Sequence, residues 1–152
     1  MPQRFDLSKL EPASYRALLA LERAVRESGL EASIRHLVKT RASLLNGCAY
    51  CIDMHTAEAL ADGETKERLF LLPAWHEAPC FTDKERAALA LTDAATRLGE
   101  GGVSDAVWAE AVRLWGEDGT GKLLFVIATI NAWNRIGVAT RLVPESFKKS
   151  AS

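Results

Sequence analysis

The segment from Gly121 to Leu142 is the most apolar in the chain, and within it Leu123 to Ile130 offers almost no polar side chain to water. A helix apolar on nearly every side belongs at the centre of a fold or at a subunit contact. The remaining elements must then wrap around it, and they also read as helices. Pro12 suits a first helical turn, and Leu18, Leu19, Leu21 and Val25 give an apolar stripe that runs until Gly29. Ala32 to Leu45 carries Ile34, Leu37, Val38, Leu44 and Leu45. A third helix passes through Met54, Ala57 and Leu60 to Asp62-Gly63, and a short one spans Glu64 to Leu72 before Pro73. Thr82-Asp83-Lys84-Glu85 has the form of a capping box, and Ser104 can cap a helix with Val107, Trp108, Ala111, Leu114 and Trp115 on one stripe. Between them, AWHEAPCF is the one clearly irregular stretch, and it is aromatic rather than merely polar. No strand-like alternation of useful length interrupts the pattern. The expected fold class is all-α, with about six or seven helices in a single domain over 1–152.

The central segment ends in a polar strip. Asn131, Asn134 and Arg135 fall at i, i+3 and i+4 beside Trp133. Such a strip either faces solvent or forms a hydrogen-bonded seam inside an oligomer. Four tryptophans among 152 residues, together with the long apolar helix, offer more sticky surface than a small monomer usually exposes, so a homo-oligomer is expected. A net charge of −1 gives no electrostatic case for nucleic acid or an anionic membrane. No uninterrupted apolar run approaches the roughly 20 residues that span a bilayer. The opening MPQRFDLSKL lacks the apolar core of a signal peptide, so the expected location is the cytoplasm.

Chemistry concentrates between Arg35 and Glu58, in RHLVKTRASLLNGCAYCIDMHTAE. Cys48, Cys51 and His55 stand as C-x-x-C-x-x-x-H. If Cys48 opens a helix, the three share one face. Asn46-Gly47 is a turn dipeptide able to end one helix and start the next. A cysteine at a helix N-terminus is held as thiolate by free N–H groups and the macrodipole. A histidine one turn on can take its proton or, once charged, hold the anion. Of the three cysteines in the chain, Cys80 is isolated between Pro79 and Phe81 and reads as a packed, unreactive thiol. In a reducing compartment the close pair points to redox chemistry or to a metal. Zinc is the rival reading, since His36, Cys48, Cys51 and His55 supply two sulfurs and two nitrogens. Against it, the chain is large enough to fold without a metal, and structural zinc usually staples small loop-rich modules. A non-enzymatic redox or zinc-binding helical oligomer is therefore the alternative to an enzyme.

LVKTRASLLNGCAYCIDMHT resembles the core motif of the alkylhydroperoxidase D / carboxymuconolactone decarboxylase-like family, in particular its peroxidase-related branch. AWHEAPCFTDKERAALAL and INAWNR are similar to the same family, so the likeness spans roughly residues 12 to 144. It implies an all-helical domain assembled as trimers or hexamers, with thiol-dependent peroxidase or disulfide reductase activity. It also implies roles: Cys51 attacks the peroxide, Cys48 resolves the intermediate, and His55 belongs to a proton relay. Hydroperoxide is the implied substrate, and a lipoylated or thioredoxin-like dithiol protein the implied reductant. The chemistry requires no metal, flavin or haem. Decarboxylase relatives act without the cysteine pair, so an intact C-x-x-C-x-x-x-H argues for redox chemistry.

One position departs from the family. Its relay usually includes a glutamate twelve residues before the first cysteine, and here that residue is His36. Glu31, the nearest upstream acid, is about one and a half turns away and points elsewhere. Either an imidazole does the work of the carboxylate, or efficient proton transfer has been lost. On the first reading His36 faces the Cys48 turn and influences His55 and the thiols.

Overall fold

The computed structural model describes residues 2–148, and among them the regular structure is helical throughout, with no strand. Seven α-helices follow in order: α1 (Leu7–Leu10), α2 (Pro12–Arg26), α3 (Ala32–Asn46), α4 (Ala49–Ala61), α5 (Lys66–Leu71), α6 (Asp83–Thr96) and α7 (Asp105–Thr140). Two 3-10 turns, Leu72–Ala74 and Glu145–Phe147, complete the set. Pro12 occupies the first turn of α2. The Thr82–Glu85 capping box is formed reciprocally, each side chain accepting from the other's backbone N–H. Ser104 caps α7 by accepting from Val107 N–H.

The long apolar helix is central, packing against α2, α3, α4 and α6. Leu123, Val126, Ile127 and Ile130 are buried, the first three in one cluster with Ile34, Val38 and Leu91. Phe125 departs from the expectation of burial on nearly every side, because it points away from the bundle and is 61% exposed. Trp108 also leaves its expected stripe and is largely exposed, whereas Ala111 on that helix is fully buried. The helix begins earlier than the apolar segment, at Asp105, but breaks at Gly116, whose φ of 68° and ψ of 173° are not helical. By length and composition alone α7 is apolar enough to cross a bilayer, although its apolar residues do not form one uninterrupted run. Its buried face packs against α3 and α6.

The aromatic linker 74–81 is ordered by what it buries. Trp75, Ala78 and Phe81 join Leu37, Leu72 and Leu89 in a second core cluster. Arg41 grips Asp93 through two hydrogen bonds of 2.7 and 2.8 Å, and the Trp75 indole N–H donates to the same carboxylate at 3.1 Å. Arg86 donates to the carbonyls of Trp75, His76 and Phe81. These contacts satisfy the backbone of a segment that has no ladder of its own. Cys80 is a free, half-buried thiol against this cluster.

The strip on α7 follows neither sequence expectation. Asn131 and Asn134 are buried within the single chain, Asn134 completely. Asn46 Nδ2 donates to Asn131 Oδ1 and Asn134 Oδ1, both at 2.9 Å. Asn134 Nδ2 donates to Ser43 Oγ, and Asn131 Nδ2 to Thr96 Oγ1, each at 3.0 Å. Arg135 caps the seam from its rim by donating to Asn131. The seam joins the C-terminal ends of α3 and α6 to α7, so every amide finds a partner without solvent or a second subunit.

Candidate thiol site

The seam clamps the turn that presents the first cysteine. Gly47 ends α3 in the left-handed conformation, with φ of 65°. Its N–H reaches Leu44 O at 3.3 Å, and Cys48 N–H reaches Ser43 O at 3.0 Å, so the last carbonyls of α3 are satisfied. Cys48 is the N-cap of α4, and its sulfur accepts from Cys51 N–H at 3.4 Å. The helix start anticipated from Asn46-Gly47 is therefore in place. The Cys48 and Cys51 sulfurs are bonded, with Cα atoms 5.3 Å apart, and each residue is only 2% exposed.

The two cysteines face different surroundings. Cys51 lines a cavity of about 490 Å³, together with Tyr50, Met54, His55 and Glu58 of the same helix. Tyr15, Leu19 and Glu22 from α2 and Trp133 and Ile136 from α7 form the other walls, with Tyr15 set edge-on to Trp133 at 5.3 Å. Leu7 and Lys148 border it near the two ends of the described chain. Cys48 does not contribute to this lining. It lies behind, in a small cluster with Ala42, Cys51 and Ile130.

His55 is buried, and its Nδ1 lies 3.0 Å from Glu58 Oε2. Burial pushes its pKa below the usual histidine range, and nearby Lys39 pushes the same way, while the Glu58 hydrogen bond opposes both. Glu58 is held below the usual carboxylate range, chiefly by that hydrogen bond, with Lys39 and His36 adding to it. An ionised Glu58 can only accept, so Nδ1 carries the proton and Nε2 is left with a lone pair. Lys39 of α3 pairs with Glu22, both side chains being largely enclosed. The site thus contains a neutral imidazole, oriented by one carboxylate and flanked by a buried ion pair.

Three of the four residues singled out from sequence come together: Cys48, Cys51 and His55 lie on the first two turns of α4. His36 is placed elsewhere. Its Nε2 is 2.7 Å from Asp62 Oδ2, at the far end of α4, and it is not part of the cavity wall. Its reach toward the site is indirect, through the charge it presents to Glu58. The zinc reading loses His36 to Asp62, and the Cys48 and Cys51 sulfurs are bonded to each other; among the described residues no group of three or more His, Cys, Asp or Glu is placed to hold a metal ion. Glu58, an i, i+3 partner of His55, is the site residue that helical spacing in the sequence already offers beyond the motif. Glu22 and Lys39 left no such signal, because their meeting depends on how α2 packs across α3.

The profile of the Carboxymuconolactone decarboxylase family matches residues 12–94, more than half of the chain. The protein belongs to that family. An uncharacterized protein of Bacillus subtilis (strain 168), YdfG, is 34% identical over 139 residues, covering 91% of this chain and 95% of its own. The crystal structure of ATU0492 from Agrobacterium tumefaciens superposes with a TM-score of 0.91 at 38% identity, covering 94% of this chain and 98% of that one. ATU0492 is described as a protein of unknown function, with the suggestion that it is the antioxidant defence protein AhpD. The debrominase Bmp8 has the same fold, with a TM-score of 0.79 at 18% identity over 91% of this chain and 74% of that one. The family expected from the motif and the all-helical AhpD-like fold are both found.

Proposed function

We propose that the protein is a thiol-dependent peroxidase of the AhpD kind, reducing hydroperoxides through a Cys48–Cys51 dithiol/disulfide cycle. The observation that carries this reading is the asymmetry of the pair. Cys51 opens onto the same cavity as an imidazole whose Nε2 is free to accept a proton, while Cys48 stands behind it within bonding distance. Membership of an enzyme family and the likeness to ATU0492 agree with it.

The cycle follows from those positions. His55 takes the proton of the Cys51 thiol, directly or through water, and the thiolate attacks the terminal oxygen of ROOH. The O–O bond breaks, the sulfur is oxidised to sulfenic acid, and the departing alkoxide receives the proton from His55 as ROH. Glu58 stabilises the imidazolium formed in between. Cys48 then attacks the Cys51 sulfur, forming the disulfide and releasing water. A dithiol, on a lipoylated or thioredoxin-like protein, returns both cysteines to thiols and is itself oxidised to a disulfide. In this scheme His36 acts only on the electrostatics of Glu58, and the proton relay runs through His55 with Glu58 as its partner.

The test is peroxide consumption with a dithiol reductant, followed by mass spectrometry of the protein. Peroxide should remove the Cys48 and Cys51 thiols together and leave Cys80 reduced. Cys51→Ser should abolish turnover, and Cys48→Ser should allow one oxidation and leave Cys51 as sulfenic acid. Finding both cysteines still reduced after peroxide, or Cys80 bridged to one of them, would overturn the reading.

A further inference from the structure

We propose that Gly137 is a positioning residue for the dithiol pair: its missing side chain leaves the space in which the Cys48–Cys51 bond closes. This rests on the thiol cycle proposed above. Gly137 lies in the last turns of α7, and its carbonyl accepts from Leu142 N–H at 3.0 Å where the helix closes. It is not one of the glycines with positive φ, so its backbone does not demand glycine. Glycine inside a helix is also destabilising relative to alanine. Something else must keep a side chain out, and the surroundings identify it. A Cβ built on Gly137 would stand 2.8 Å from Cys48 Sγ, closer than such atoms approach, and 3.5 Å from Cys51 Sγ. Gly121 on the same helix makes the contrast, since a Cβ there would meet nothing.

The consequence depends on the redox state. In the dithiol, Cys48 Sγ can rotate about its Cα–Cβ bond and yield to a methyl group. In the disulfide it is tied to Cys51 Sγ at the start of α4 and cannot turn away. A methyl at position 137 therefore penalises the disulfide more than the dithiol. The backbone of α7 also forms the rear wall of the pair, leaving the cavity as the side from which Cys51 is reached. Gly137 thus sets how readily the pair oxidises without touching peroxide, reductant or proton.

The test is equilibration in glutathione buffers, a measurement independent of peroxide. There the protein dithiol gives two electrons and two protons to glutathione disulfide, yielding the Cys48–Cys51 bond and two glutathione thiols. Gly137→Ala should lower the equilibrium constant for disulfide formation about tenfold, which for this two-electron couple is about 30 mV. A second measurement guards against a variant that folds poorly. In a Cys48→Ala background the offending sulfur is gone, so adding Gly137→Ala should leave Tm unchanged or raise it. An unchanged equilibrium constant in Gly137→Ala, or an equal loss of Tm with and without Cys48, would overturn the proposal. A wild-type protein that forms no disulfide in oxidised glutathione would overturn the thiol cycle along with it.

Discussion

The balance of charge around one imidazole decides how this site responds to pH. Burial holds His55 below the ordinary histidine pKa of about 6.5, so the neutral base persists as pH falls through that value. The acid limb of peroxide turnover should therefore lie below pH ~6.5. Glu58 and Lys39 act on the His55 pKa with opposite sign. Glu58→Gln removes a partner that raises the His55 pKa and should move the limb to lower pH. Lys39→Met removes a cation that lowers it and should move the limb up. His55→Gln should reduce turnover roughly 10²–10⁴-fold, the usual contribution of a positioned proton acceptor. Stability carries the same sign. A histidine whose folded pKa is depressed takes up protons more readily when unfolded, so its contribution is present above about pH 6.5 and lost as pH falls below it. Thermal melts should show that loss in the wild type and a flatter profile in His55→Gln; parallel profiles would count against burial as the cause.

At the scale of elements, what could be read in the sequence was local and what could not was long-range. The Thr82 capping box, the Gly47 turn and the Cys48 start of α4 are each decided within a few residues, and each appears as expected. The break at Gly116 falls between the stripe that ends at Trp115 and the apolar segment from Gly121, where the sequence already separates two helices. The strip of Asn131, Asn134 and Arg135 was visible as a pattern, but its destination was not. Only the packing of α3 against α7, across 85 residues of sequence, shows that Asn46 lies opposite it. That contact links fold to chemistry, because Asn46 is two residues from Cys48. Asn134→Ala removes two hydrogen bonds at a fully buried position, from Asn46 Nδ2 and to Ser43 Oγ; at about 0.5–1.5 kcal/mol each the cost is about 1–3 kcal/mol. Denaturant melts measure that loss, and faster alkylation of Cys48 in the reduced variant would report a loosened turn. Loss of stability with no change at Cys48 would mean that the seam holds the bundle but not the turn.

For the whole molecule, the cavity and the outer surface make different demands. The cavity gathers side chains from α1, α2, α4, α7 and the residues near the C-terminal 3-10 turn, so its walls could not be listed before the helices were placed. The outer surface carries apolar residues that the single chain does not cover: Phe70 is 78% exposed and Phe125 61%, with Leu71, Trp108 and Val138 each more than two-fifths open. Singly, exposed apolar residues are ordinary; several large ones on a domain of this size are not. Phe125 is the informative member. It sits on the most apolar helix, outside the core built by Leu123, Val126 and Ile127, and beside a groove that also contains Leu21 and Val25 of α2. Burying a phenylalanine of this kind is worth about 1.5–3 kcal/mol per copy, and closed rings repeat that gain at every interface. We propose that copies of the chain meet at Phe125; the family resemblance, rather than this surface, is what implies a homotrimer or homohexamer. Light scattering at micromolar concentration should give a mass three or six times the 16.6 kDa of one chain. Phe125→Ser should lower that mass, or make it depend on concentration, while leaving helix content unchanged. A wild-type mass of a single chain would refute the assembly, and an unchanged mass in Phe125→Ser would move the contact to another face.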